Sequence, residues 1–191
     1  PVAKEKADLI AKLSLEVAKP GNAAKGKELF TQNCATCHLL GQLGNNVGPN
    51  LTGMGAHGPA ELLGQILDPN KEVDIAYVGV AVETKDDELV EGIVVRENQT
   101  VLVLRNATGE KEVRKADIKK RRSTGRSLMP EGFEALGAEG LRDLLAFVAG
   151  SETRFRFIDL SSAFTASTRD GLYMSKEPGG GALPLAKTGA V

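Results

Sequence analysis

Cys34-Ala35-Thr36-Cys37-His38 is the place in this chain where reactive side chains stand at a spacing that specifies a chemistry. Two thiols three positions apart, at the end of a helix, can reach the two vinyl groups of one porphyrin edge and form thioethers. The adjoining imidazole then lies under the iron and offers a ring nitrogen to it, so C-x-x-C-H reads as an attachment signature for c-type haem. The chain of 191 residues holds only these two cysteines, and two histidines. Random placement would put two cysteines three apart roughly 1% of the time, with a His following in roughly another 1% of those cases. Three other readings use the same residue types. A thioredoxin-like redox pair needs a βαβ context, and none is legible around Asn33–Gly41. A tetrahedral zinc site needs four ligands; Cys34, Cys37, His38 and His57 are the only set, and adjacent Cys37 and His38 rarely point at one metal. Unreactive structural cysteines are the third.

An iron held from one side by His38 takes a sixth ligand from the other. Met54, His57, Met129 and Met174 are available. Met129 is the best placed, because it lies in a loop just before the last helix and Pro130 rigidifies it. Met54 and His57 stand so close to the C-x-x-C-H motif in sequence that they would have to wrap around the ring edge. A thioether sulfur is a soft ligand that favours ferrous iron and raises the potential.

These residues need elements to position them. Apolar residues recur at mixed helical spacing from Ala3 to Lys19, and Pro20-Gly21 ends that stretch. Ala23–Asn33 predicts a second helix with Gly26 inside it, a position that costs roughly 1 kcal/mol unless a neighbouring backbone approaches closely. From Leu39 to Ala60 there is no Lys, Arg, Asp or Glu, and the segment is rich in Gly, Asn and Pro. An ordered loop of that kind needs a partner to pack on. Pro59 opens a third helix that Asp68-Pro69-Asn70 stops. From Ala76 to Ile118 the period falls to two, with strands at Ala76–Glu83, Leu89–Arg96, Val101–Arg105 and, more weakly, Lys111–Ile118, which predicts an antiparallel meander or small barrel. Lys119–Arg122 reads as a solvated basic loop close to Met129, with charge for an acidic partner or for haem propionates. Leu141, Leu144, Leu145 and Val148 lie at i, i+3, i+4 and i+7 of a closing helix from about Gly137. Beyond Ser151 no apolar period supports a core.

Composition narrows the function classes. A net charge of −1 gives no electrostatic case for nucleic acid. No run reaches the roughly 18 apolar residues that span a membrane. The 41% hydrophobic and 26% charged content describes a globular chain, yet aromatics are only 4% and Trp is absent. Few side chains are large enough to fill a core, which leaves room for a bound apolar group.

Cys34–His38, the preceding Gly26-Lys27-Glu28-Leu29-Phe30, the following Gly48-Pro49-Asn50-Leu51, Met129-Pro130 and the last apolar helix together resemble a class I cytochrome c. Ile66-Leu67-Asp68-Pro69-Asn70 and Ser127-Leu128-Met129-Pro130, with β strands between them, make the chain most similar to the haem-binding domains of large multidomain proteins of planctomycetes and verrucomicrobia. The resemblance spans roughly residues 22–150. It implies a mainly α cytochrome c fold with an antiparallel β meander (about 76–118) inserted before the Met loop, α+β overall. Residues 1–21 would be an N-terminal helical extension, and 151–191 a C-terminal extension or the start of a following domain. It implies one haem c held by Cys34 and Cys37, iron ligated by His38 and Met129, and Gly48, Pro49 and Leu51 lining the group. The Pro49 carbonyl would receive the His38 Nδ1–H, and Gly26, Phe30 and Phe147 would form the crossing of the first and last helices of the domain. The expected role is one-electron transfer between a dehydrogenase-type donor and a respiratory acceptor, by a module that is not itself an enzyme. Its partner would be a redox protein or a neighbouring dehydrogenase domain. Thioether attachment occurs outside the cytoplasm, so a periplasmic or otherwise exported location is expected. The alternatives are a haem-based sensor of small ligands or a peroxidase-like domain with a labile distal site, and a docking role in a larger assembly.

Overall fold

The computed structural model describes residues 2–150; the tail from Phe155, with Met174, lies outside the described residues. Within them are four α-helices and one five-stranded antiparallel sheet, a mixed α+β architecture. Helix α1 runs Val2–Val17, α2 Ala23–Asn33, α3 Pro59–Leu67 and α4 Gly137–Gly150. The α2 boundaries have local causes. Asn22 caps its N-terminus by accepting from the Ala24 and Lys25 amides, which satisfies donors that have no partner inside the helix. Pro59 occupies the first turn of α3, where its missing N–H costs nothing, and the chain leaves the helix at Asp68.

The helices share one apolar core that includes Val17, Phe30, Leu63, Leu67, Leu141, Leu144, Leu145 and Val148. Helix α1 is part of it, through Val17 and the half-buried Ile10 and Leu13. The predicted close crossing is present. A Cβ on Gly26 would run into the Asp143 carbonyl and sit 2.8 Å from Phe147 Cβ, so α2 meets α4 backbone to backbone at a residue with no side chain. One turn on, Phe30 is fully buried and its ring lies 5.6 Å from that of Phe147 at 60°, a tilted aromatic pair. The Asp143 carboxylate, also buried, accepts the Asn22 amide at 2.7 Å and so ties α4 to the start of α2.

The strands fall between α3 and α4. They are β1 Val78–Thr84, β2 Leu89–Glu97, β3 Val101–Asn106, β4 Gly109–Arg114 and β5 Ile118–Ser127, in the order β4-β3-β2-β1-β5. The first four are the expected meander, although the fourth begins at Gly109 and ends at Arg114, before a short 3-10 turn at Lys115–Asp117. The fifth corrects the sequence reading. Lys119–Arg122 is not a loop but the middle of β5, which crosses back to pair with β1 on the side opposite β2. A charged run has no apolar alternation, so its strand character comes from its partners: Lys119 pairs with Glu83 and Asp87, and Arg121 with Glu97. The sheet carries a second core of Val82, Val90, Leu102, Leu104 and Val113, separate from that of the helices.

Candidate haem-attachment site

The C-x-x-C-H motif begins where α2 ends. Cys34 is the C-terminal cap, its amide bonded to the Phe30 carbonyl, and the chain tightens through Cys37 and His38 amides that both donate to the Cys34 carbonyl. This turn holds both half-buried cysteines and His38 against the end of one helix. The uncharged loop then folds back over the motif by backbone hydrogen bonds. Asn45 N–H donates to Ala35, Val47 and Gly48 N–H both donate to Cys37, and Leu51 N–H donates to Leu39. Gly44, at φ +95, passes so close that a Cβ there would strike the His38 carbonyl. The expected partner for this loop is, in the first instance, the motif itself.

The His38 ring is fixed from two directions. Its Nδ1 lies 2.9 Å from the Pro49 carbonyl oxygen. A carbonyl can only accept, so Nδ1 carries the proton and Nε2 keeps its lone pair. Gly48 lies against the ring: a Cβ there would stand 2.7 Å from Cε1 and 3.0 Å from Nδ1. Any side chain at 48 would displace the imidazole. This fits a metal-ligating histidine, whose second nitrogen is ordinarily held by a carbonyl or carboxylate that orients the ring.

The surroundings also suit a large flat apolar group. Cys34, Leu43, Leu51, Met54, Ile66 and Phe133 pack against the helical core yet remain only partly buried. Burial pushes the Cys34 thiol up to about 11, with Cys37 adding to the effect, and burial raises Cys37 as well. Both are therefore neutral thiols near pH 7. A zinc centre finds no support: among the described residues, no three His, Cys, Asp or Glu side chains converge as a metal-binding group. His57 instead faces Glu61 across one turn, with both side chains exposed.

Met129 follows β5 directly. It is half-buried, and its amide donates to Ser127 Oγ at 3.1 Å. Met54 opens a short 3-10 turn and packs on the helical core, which is a structural occupation for that side chain. The basic charge near Met129 is largely spent within the fold. Lys119 and Arg121 pair across the sheet as above, and Arg126 with Glu131. An open cleft of about 440 Å³ between the Asn45–Val47 loop and the β3–β4 turn is lined by Thr36 of the motif. Sequence reasoning missed the Arg105 side chain there, which donates to the Asn46 carbonyl at 2.8 Å and to Glu110, linking the sheet to the motif's loop. It also missed Lys6 and Glu131, which no local signal marks. It read Asn70 only as part of the Asp68-Pro69-Asn70 helix stop and the Ile66–Asn70 motif, not as a partner of Ser127 and Glu131 in the Met129 loop.

Comparison with known proteins bears on the same segment. Residues 23–87 match the cytochrome c family. A stretch of 37 residues, 19% of this chain, is 54% identical to cytochrome c of Stellaria longipes. The match covers 34% of that protein's length, so the chain spans about a third of the curated relative it matches. Among the described residues, no helix is long and apolar enough to cross a membrane. With its C-x-x-C-H turn and oriented imidazole, the segment 23–87 is similar to the cytochrome c family, which in general binds haem covalently and transfers electrons with it.

Proposed function

We propose that this chain carries one haem c, attached through Cys34 and Cys37 and ligated by His38 and Met129, and that it passes single electrons between a dehydrogenase-type donor and a respiratory acceptor. The observation that carries this reading is the His38 ring, with Nδ1 tied to the Pro49 carbonyl, one face against Gly48, and Nε2 left as the only available nitrogen. When bound, the haem supplies the ferric–ferrous couple and an apolar plane. The rest is done by the chain. The turn at the end of α2 presents both thiols together. The Pro49 carbonyl makes the imidazole a better donor through its hydrogen bond and prevents the ring from rotating. Leu51, half-buried beside the motif, and the uncharged loop around it keep water and charge away from the metal's surroundings, which sets how much the protein favours either oxidation state.

In this reading the helices are a cytochrome c shell, and the sheet is an insertion between α3 and the Met129 loop. The module is an electron carrier whose partner is a redox protein or a neighbouring dehydrogenase domain. Because thioether attachment is made outside the cytoplasm, its location would be periplasmic or otherwise exported. Optical spectra of the matured protein test the reading. The oxidised form should show the far-red band that methionine sulfur gives on ferric haem, and Met129→Ala should abolish it. A colourless product with no mass added to the Cys34–Cys37 peptide refutes haem attachment, and loss of the band in Met54→Ala instead refutes the distal assignment.

A further inference from the structure

Asn70 bridges the two sides of the Met129 loop. Its Oδ1 accepts the Ser127 amide at 3.0 Å, two residues before Met129, and its Nδ2 donates to Glu131 Oε1 at 2.6 Å, two residues after. The orientation of the amide follows from its partners: a backbone N–H requires an acceptor and a carboxylate requires a donor, so a flipped amide would meet like with like at both ends. The chain of contacts continues on either side. Ser127 Oγ accepts the Met129 amide, and Glu131 also takes Arg126 at 3.0 Å and Lys6 of α1 at 3.0 Å. Lys6 in turn reaches Asp68, beside Asn70, at 3.2 Å. One side chain at the end of α3 thus holds both ends of a five-residue loop, and a helix from the start of the chain anchors the same carboxylate.

We propose that Asn70 is the positioning residue for Met129: it holds the loop closed against the end of α3, and so keeps the methionine sulfur where it ligates iron. This rests on the assignment of Met129 as distal ligand. Without the bridge the loop keeps β5, α4 and the ion pairs of Glu131 with Lys6 and Arg126, but loses its tie from Asn70 to the Ser127 amide, and its open form becomes more populated. Hydrogen bonds to a charged group are the stronger kind, so losing one raises the open population by about tenfold or more.

The test uses the full haem-bearing chain. Imidazole competes with the sulfur for ferric iron, and loss of the far-red band follows the exchange. Asn70→Ala should raise the apparent imidazole affinity about tenfold or more, and should speed hydrogen exchange at the Ser127 and Met129 amides while the overall unfolding midpoint hardly moves. Asn70→Asp keeps the acceptor for Ser127 but sets a carboxylate against Glu131, and should weaken the loop at least as much. Adding Glu131→Gln returns a donor to that contact and should recover most of the imidazole resistance, a rescue that general destabilisation would not produce. If the parent protein shows the band, Met129→Ala removes it, and Asn70→Ala leaves imidazole affinity unchanged, the proposal is overturned while the ligand assignment stands. If the parent lacks the band, or keeps it without Met129, both are overturned.

Discussion

Two glycine-to-alanine substitutions in helices should change stability in opposite directions. Alanine is the better helix former by about 1 kcal/mol at an interior position. At Gly64 in α3 a new Cβ meets nothing within 4 Å. Gly64→Ala should therefore stabilise the protein by about 0.5–1 kcal/mol. At Gly26 the new Cβ would stand 2.6 Å from the Asp143 carbonyl carbon and 2.8 Å from Phe147 Cβ, where comfortable carbon contacts need about 3.5–4.0 Å. Helices α2 and α4 must part by about 1 Å, a gap that forfeits a quarter to a half of the dispersion energy along the seam. The seam includes the fully buried Phe30 and the 2.7 Å bond from the Asn22 amide to Asp143. Overpacking of this kind costs about 1–3 kcal/mol, and weakening a hydrogen bond to a carboxylate adds about 1 kcal/mol or more. After the gain in helix propensity, Gly26→Ala should destabilise by about 2 kcal/mol. Guanidinium denaturation of the haem-bearing protein reads both effects as midpoint shifts at constant slope. In heat, Gly26→Ala should lower Tm by roughly 4–8 °C and Gly64→Ala should raise it by roughly 2–3 °C. Shifts of the same sign would refute the close crossing.

Two titrations follow from the charge and thiol environments. Arg121 first, and then Lys115, hold the Glu97 carboxyl down to about 2 from its ordinary 4.5. Its contribution is present above the ordinary value and is lost as pH falls from about 4.5 towards 2. Denaturation midpoints followed over that range should drop less in Glu97→Gln than in the parent; parallel curves would count against the pairing. In haem-free protein, burial pushes the Cys34 thiol from 9.0 up to about 11. The folded chain then keeps a proton that the unfolded chain releases, so stability should fall as pH rises from about 9 to about 11. Near pH 8, Cys37 should alkylate faster than Cys34, as read by peptide mass; equal rates would contradict the difference in burial.

What the sequence determined by itself is what lies within a few residues of one another. The haem motif needs five consecutive positions, and its turn, its oriented imidazole and the backbone wrapping from Gly44 to Leu51 all arise inside one short segment. The limits of α2 and α3 follow from Asn22 and Pro59 for the same reason. The glycine at 26 and the phenylalanines at 30 and 147 were legible because the resemblance supplied a partner for each. The tertiary structure alone decided the rest, where a residue's role depends on a neighbour far along the chain. The basic run became a strand only because β1 presented an unpaired edge and carboxylates stood across it. Asn70 reaches Ser127 and Glu131 across 57 and 61 residues, and Lys6 reaches Glu131 across 125. No local pattern records such a meeting. Propensity and periodicity report what a segment prefers on its own, whereas a hydrogen bond between distant side chains exists only once packing has paid the entropy of bringing them together.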